Sequence, residues 1–261
     1  MKKIALIIDT NSRYADAWPA CFGRLKKHFP NEIKKYVFVD AETPERVPPP
    51  SVSALYSEGD CNDFHPVHYD DLASYRNQFL SCLKQVEEPF IVYTSEDYIL
   101  YDNVDQDLLE SLVSLIEESE GWCNSIKLIR GPEALTGQYK PAKYRNLHII
   151  DRTDNNFFAQ QASIWRTKDL IKLFECSPPD NGRMEQEPGG SEICRNLGFN
   201  ILQYYSGEPL RGVAHCDSTA YPYIATAIVK GKWNVSEYPS ELKAVFAEYD
   251  INPTERGSRW K

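Results

Sequence analysis

The sequence predicts an α/β protein: a mostly parallel, mixed sheet flanked by helices, in one compact domain with a C-terminal excursion. Three observations carry that expectation. Short apolar runs at residues 4–8, 36–39 and 90–93 are strand-like in length and composition. Each leads into polar residues, Asp9-Thr10, Asp40 and Thr94-Ser95-Glu96-Asp97. Helical periodicity occupies stretches between them, and such alternation builds a parallel sheet through right-handed crossovers.

In chain order, residues 4–8 form the first strand. Residues 14–28 place Trp18, Cys21, Phe22 and Leu25 at helical spacing, with Phe29 beyond them. Pro19 lies near the start, where a missing N–H is tolerated. The second strand, 36–39, ends at Asp40. Residues 42–69 are irregular, marked by Pro48-Pro49-Pro50 and Gly59-Asp60. That length points to an ordering lid, or to a small strand hidden at 53–56. Asp70 or Asp71 then caps a helix whose stripe is Leu72, Tyr75, Phe79, Leu83 and Val86. It feeds the strand at 90–93, bounded by Pro89. A helix follows at 107–119, with Asp107 and Glu110 at capping-box spacing.

The second half changes character. Residues 125–129 and 146–150 read as strands, 151–156 as a turn, and 157–165 as strand or loop. A short helix at 167–174 takes Thr167 as its cap, and a helix at 191–197 stops at Gly198. Residues 200–205 form a strand, and the tail from 207 carries one helix at 240–249.

Composition narrows the classes. With 261 residues, 42% of them hydrophobic, the chain can bury one large core. A net charge of −9, with basic pairs isolated along the chain, argues against a nucleic-acid partner or an anionic membrane surface. Seven cysteines, an odd number with no C-x-x-C pair, fit neither a disulfide framework nor structural zinc. The N-terminal apolar run is short and ends at Asp9, as a first strand does and a signal peptide does not. No apolar stretch approaches the roughly 18 residues of a membrane span. The expectation is a soluble cytoplasmic protein, free or peripheral at the inner face of the membrane.

Chemistry concentrates where the strand at 90–93 runs into Ser95-Glu96-Asp97-Tyr98. Ligands in open α/β sheets sit outside the carboxyl ends of the strands. An acidic pair there can hold a divalent cation that in turn holds a phosphate. A solvated strand end would carry the same residue types.

This strand, the Ser-Glu-Asp-Tyr segment and the Leu-rich helix after it resemble the acidic motif of GT-A-fold glycosyltransferases. In particular they resemble a group of bacterial enzymes of surface-polysaccharide assembly. Further segments match that group in order along the chain: Ile7-Ile8-Asp9-Thr10 with Tyr14, Asp16 and Trp18; Ser74-Tyr75-Arg76-Asn77; and Gln161-Ala162-Ser163-Ile164-Trp165-Arg166. Glu185-Gln186-Glu187 ahead of Gly190-Ser191 resembles a Trp-Glu-x-Glu…Gly-Ser segment, with Met184 in the Trp place. Val229-Lys230-Gly231-Lys232-Trp233 resembles a late Lys-Gly-Lys-Trp. The chain departs from a full Asp-x-Asp motif at Ser95, where an acid would stand.

The resemblance implies a GT-A-like domain over 1–261, with 1–100 as nucleotide-binding half, 101–206 as acceptor and catalytic half, and 207–261 as tail. It implies a nucleoside-diphosphate sugar donor, a glycan or lipid-linked saccharide acceptor, and Mn²⁺ or Mg²⁺. Asp97 would bind the metal with Glu96 beside it, and His215 would be a further ligand. Cationic side chains replace the metal in some enzymes of this fold. Glu187 matches the position of a catalytic base, with Glu185 and Glu192 as alternatives; an acid cluster before a helix also complements its dipole. Asp9, Thr10, Arg13 and Asp40 follow the first two strands, where base and ribose would rest. Arg76 would reach a phosphate, or pair with Asp9 or Asp97. Gln161 and Trp165 would line the acceptor site, with a place in the core as the alternative for Trp165. Two other classes stay open. One is a catalytically degenerate nucleotide- or sugar-binding module, which Ser95 favours. The other is a nucleotidyltransferase, which would show a Gly-rich loop where this chain has Asp9-Thr10-Asn11-Ser12-Arg13.

Overall fold

Strand β1 (Ile4–Asp9) is buried along its whole length, as befits a central strand covered on both faces. The computed structural model describes residues 3–40, 64–129, 131, 140–141, 145–179, 188–211, 215–225 and 227–259. After β1, a 3₁₀ turn (Ser12–Tyr14) precedes α1 (Trp18–His28), so the helix begins later than its periodicity predicts. Pro19 sits in its first turn, where its missing N–H costs no hydrogen bond. Strands β2 (Lys34–Asp40) and β3 (Phe64–Tyr69) follow, then α2 (Tyr75–Leu83) and β4 (Phe90–Ser95).

Two sequence expectations change here. The irregular reading of 42–69 gives way at its end to β3, which pairs in parallel with β2 from Lys35↔Phe64 to Asp40↔Tyr69. Its Phe-His-Pro-Val-His-Tyr sequence hid it, because β3 is an edge strand that leaves His65, Pro66 and His68 exposed. Residues 41–63, including the strand expected at 53–56, lie outside the described residues. The helix expected to be capped at Asp70 or Asp71 instead begins after Ser74. Asp70 closes a turn by accepting from Leu72 N (2.9 Å), and Leu72 is 95% exposed rather than part of the buried stripe.

The chain continues through β5 (Ile99–Leu100) and α3 (Gln106–Glu118). Asp105, not Asp107, caps α3, accepting from Leu108 N at 3.0 Å. Next come β6 (Ser125–Lys127), β7 (Lys140–Pro141), β8 (Leu147–Ile149), β9 (Ser163–Arg166) and α4 (Thr167–Cys176). The Thr167 hydroxyl does not cap α4; it donates to the Glu88 carbonyl at 2.6 Å and ties the helix start to the entrance of β4. Helix α5 (Pro188–Asn196) and β10 (Ile201–Tyr204) complete the central region.

The sheet runs β3-β2-β1-β4-β9-β6-β10-β8-β7. Its first four strands are mutually parallel, β9 is antiparallel to both β4 and β6, and β10 is parallel to β6. The mostly parallel mixed sheet of the sequence reading is therefore observed. Helix α1 covers one face, where Phe22 meets Phe64 edge-on at 5.4 Å. On the other, Phe79 of α2 stacks with Phe174 of α4 at 4.4 Å.

The excursion comprises β11 (Leu210–Arg211), β12 (His215–Cys216), β13 (Tyr223–Ile224), β14 (Ile228–Val229), β15 (Lys232–Asn234), α6 (Pro239–Glu248), α7 (Pro253–Arg256) and β16 (Ser258–Arg259). It has its own apolar cluster, in which Trp233, Tyr238, Leu242 and Val245 pack with Ala17, Ala20 and Ile99. Gly23 permits the close approach of α1, since a β-carbon there would stand 2.2 Å from a Tyr249 ring carbon. Among the described residues, no helix is long and apolar enough to cross a membrane.

Candidate functional site

The register of the parallel strands brings their carboxyl ends level, with Asp9 beside Ser95 and Asp40 beside Tyr69. At that edge opens a cleft of about 720 Å³. Its floor is the turn after β4, closed by Tyr98 N donating to the Ser95 carbonyl at 3.1 Å. Glu96 and Asp97 are the central residues of that turn, and both line the cleft. Glu96 is 2% exposed and accepts from the Ser95 hydroxyl at 3.1 Å; Asp97 is half-buried. The Tyr98 hydroxyl donates to the Gln160 carbonyl at 2.6 Å, and Ala227 N donates to the Asp97 carbonyl at 3.3 Å. The acid turn is thus held by the segment before β9 and by the excursion.

The wall after β1 is a polar network. Asp9 accepts from the Tyr75 hydroxyl (2.9 Å), which in turn accepts from the Gln160 amide (2.6 Å). Trp18 Nε1 donates to the Thr10 hydroxyl (2.7 Å), and the Tyr69 hydroxyl donates to the Thr10 carbonyl (2.8 Å). Asp40 is 4% exposed and is turned to the loop itself, accepting from Ser12 N (2.6 Å) and the Ser12 hydroxyl (2.5 Å). Its carboxylate therefore sets the loop that presents Asn11 and Arg13 rather than lining the cleft. Arg13 is exposed at the mouth, 4.0 Å from Asp71.

Of the predicted site residues, the structure gathers Asp9, Thr10, Arg13, Glu96 and Asp97 around one cleft. Others lie elsewhere. Arg76 donates to the carbonyls of Phe174 (2.9 Å) and Glu175 (3.0 Å), capping the C-terminal turn of α4 and pairing with neither Asp9 nor Asp97. Trp165 is 2% exposed and borders a small inner cavity with Gln160, while half-buried Gln161 is not among the cleft residues. Glu192 is exposed on α5 and outside the cleft. Glu185 and Glu187 lie outside the described residues.

His215 is not among the residues that line the cleft. It is 1% exposed, with Nε2 2.9 Å from the Tyr238 hydroxyl and its ring parallel to the Tyr238 ring. Burial above all pushes its imidazole below the ordinary value. In the unfolded chain such a group takes up a proton near pH 6.5. The folded chain resists it, so the unfolded state binds more protons and stability falls as pH drops below about 6.5. His215→Gln is therefore expected to lose less Tm than wild type between about pH 7.5 and 5.5. Parallel losses in the two proteins would show that His215 contributes nothing to acid lability.

Residues missed by sequence reasoning include Tyr69, Asp71, Tyr75 and Tyr98, which line the cleft, together with Ile228, Val229 and Lys230 from the excursion. Among the described residues, the lining carries four carboxylates (Asp9, Asp71, Glu96, Asp97) against two cations (Arg13, Lys230). Arg256 lies just behind. Its hydrogen bond to Asp16 first, and then the charges of Asp16 and Glu96, hold the guanidinium in its charged form.

No family model matches the chain, and no curated protein matches its sequence. Solved structures do match in fold. The mannosyltransferase PcManGT from Pyrobaculum calidifontis, in complex with GDP-Man and Mn²⁺, superposes with a TM-score of 0.52 at 13% identity. That match covers 81% of this chain and 58% of the mannosyltransferase, so the chain spans little more than half of that relative's length. TarS (residues 1–349) from S. aureus, in complex with UDP, superposes with a TM-score of 0.52 at 12% identity, covering 97% of this chain and 68% of that one. A cytidylyltransferase from Leptospira borgpetersenii gives 0.48 at 12% identity over 100% of both chains. At these identities the likeness defines the fold alone. That fold is GT-A-like, as the acidic strand end and its companion segments led us to expect.

Proposed function

We infer that the chain is a glycosyltransferase that takes a nucleoside-diphosphate sugar into the acid-lined cleft and passes the sugar to a hydroxyl of a glycan or lipid-linked saccharide. The observation that carries this reading is the Glu96–Asp97 turn on the floor of a cleft at the carboxyl edge of four parallel strands. A cleft with more carboxylates than cations repels a diphosphate unless a further positive charge enters with it. The donor set supports a hard divalent cation, since adjacent carboxylate oxygens suit Mn²⁺ or Mg²⁺. Among the described residues there is no group of three or more potential metal ligands. Phosphate oxygens and water would therefore complete the coordination of a cation held by Asp97 with Glu96 nearby. When bound, such a cation supplies Lewis-acid stabilisation of the departing diphosphate.

The protein's own groups do the rest. The Asp9–Tyr75–Gln160 network and the Asn11–Arg13 loop, set by Asp40, form the wall on which base and ribose would rest. The acceptor oxygen attacks the anomeric carbon as its bond to the diphosphate breaks, and the proton passes to a carboxylate base. Glu187 is the assigned base, on its position in the sequence, and transfer with inversion follows from a single displacement.

A thermal-shift series with UDP, GDP, CMP, TDP and ADP, each with and without Mn²⁺, tests the reading. A nucleotide at about 100 times its Kd adds about 2.7 kcal/mol, or roughly 5–10 °C for a chain of this size. A Mn²⁺-dependent rise with one nucleotide is expected. No rise with any nucleotide would overturn the proposal. One observation favours a second reading, binding without turnover: Ser95, whose hydroxyl faces Glu96, stands where a further acid would complete the motif. Release of free sugar from a nucleotide sugar separates enzyme from binder.

A further inference from the structure

Lys230 and Gly231 form the two-residue loop between β14 and β15, and both have positive φ, 51° and 74°. Positive φ at both central residues is what a type I′ hairpin turn requires. Glycine at the second position adopts it freely. Lysine at the first does not, because its β-carbon crowds the following carbonyl; asparagine, aspartate or glycine would fit better. Glu120 and Asp250 have similar φ, 50° and 51°, away from the cleft, so it is the position of Lys230 at the cleft that sets it apart. Lys230 lines the cleft that holds Glu96 and Asp97.

The hairpin is keyed to the acid turn through the backbone. Ala227 N donates to the Asp97 carbonyl (3.3 Å), and Asn234 N donates to the Ala227 carbonyl (2.8 Å). Behind it, Ile228 and Trp233 are buried in the excursion's apolar cluster. Arg256 joins the hairpin tip to the opposite lip. It pairs with Asp16, with Nε 2.8 Å from the carboxylate, and Nη2 lies 3.4 Å from the Arg13 carbonyl. Nη1 reaches the Gly231 carbonyl at 3.5 Å, and the guanidinium lies over the Tyr14 ring at 4.9 Å.

Resting on the nucleotide-sugar reading of this cleft, we propose that Lys230 is the cation that meets the donor diphosphate, and that Arg256 is a positioning residue that holds its hairpin. A lysine ammonium is a compact charge with three donors, suited to oxygens of a phosphate whose exact pose varies. It reaches the cleft from the excursion, while Asp97 and Glu96, which would hold a metal, reach it from the turn after β4. Negative charge growing on the diphosphate as the sugar departs is then met from both.

The test is calorimetric titration of wild type, Lys230→Asn, Lys230→Arg and Arg256→Gln with inorganic pyrophosphate, UDP, GDP and ADP in the presence of Mn²⁺. Lys230→Asn is expected to weaken the diphosphate that wild type binds about tenfold, with the loss shrinking at high salt. Its Tm should hold or rise, because asparagine suits the turn. Lys230→Arg should stay within about threefold, since the charge is kept. Arg256→Gln should weaken the same diphosphate, and its loss should not add to that of Lys230→Asn in the double variant. Unchanged affinity in Lys230→Asn, with wild type binding a nucleoside diphosphate, would overturn the assignment and leave the nucleotide reading standing. A wild type that binds none of the four probes would overturn both.

Discussion

Asp97→Asn is expected to abolish sugar transfer in a chain that remains folded. Asparagine keeps the shape of the side chain and leaves the main-chain bond from Ala227 N to residue 97 in place. What it removes is the negative charge that a hard cation needs as an anchor. Lewis-acid stabilisation is worth several kcal/mol in the transition state, so the rate should fall by about 10³ or more. Residue 97 is half-buried on a turn, where substitutions typically move stability by about 0.5 kcal/mol, or roughly 1–2 °C. Initial rates with the nucleotide sugar found by thermal shift, set beside melting curves of both proteins, measure the two effects separately. A wild-type rate in the variant removes Asp97 from the reaction. A Tm lowered by many degrees makes the residue structural instead.

The second large effect concerns stability, at Phe79. Its ring stacks on Phe174 at 4.4 Å and meets Phe38 at 5.5 Å and Tyr93 at 5.9 Å, with Tyr75 at 6.1 Å. The cavity bordered by Phe79, Tyr93, Trp165 and Phe174 has a volume of about 10 Å³, room for about one water, so the packing is tight. Phe79→Ala is expected to cost about 3–5 kcal/mol, lowering Tm by roughly 6–20 °C. Phe79→Leu should lose less. Because Tyr75 and Tyr93 also line the cleft, affinity for nucleotide should weaken in step with stability. Denaturation midpoints and a ligand titration on both variants check this. A loss below about 1 kcal/mol in Phe79→Ala would mean that the neighbouring rings close over the gap.

Much of the sheet was legible because β1, β2 and β4 are largely apolar runs that end at or just before acids, a local pattern that needs no partner to be seen. Strand β3 was not, since an edge strand need not alternate cleanly and Pro66 argued against it. Helix starts shifted for a related reason. Asp105 and Asp107 are both acids near the start of α3, and only the backbone geometry decides which accepts from Leu108 N. In the site, Asp9, Thr10, Glu96 and Asp97 could be placed at one edge of the sheet, where the cleft opens, because position along a parallel strand fixes the edge at which a residue emerges. Side-chain direction is a different matter. Asp40 is at the predicted edge, yet its carboxylate is taken by Ser12, and Arg76 is drawn to the end of α4. Lys230 belongs to the segment Val229-Lys230-Gly231-Lys232-Trp233, which by itself points to no chemistry. Its place at the cleft depends on a hairpin docked through an apolar cluster that the local sequence does not encode.

Arg256 and Asp16, which join the two lips, are 240 positions apart in the chain. Nearly the whole sheet lies within the loop that this contact closes. The entropy of closing a loop grows only logarithmically, by about 0.6 kcal/mol for each doubling of its length. Insertions or deletions in intervening surface loops therefore change the cost of joining the lips very little. Register at the mouth is set by contacts at the two ends of that long circuit, not by the length of chain between them. The fold can accept length variation across its middle while Lys230 and Arg13 keep their places at the cleft.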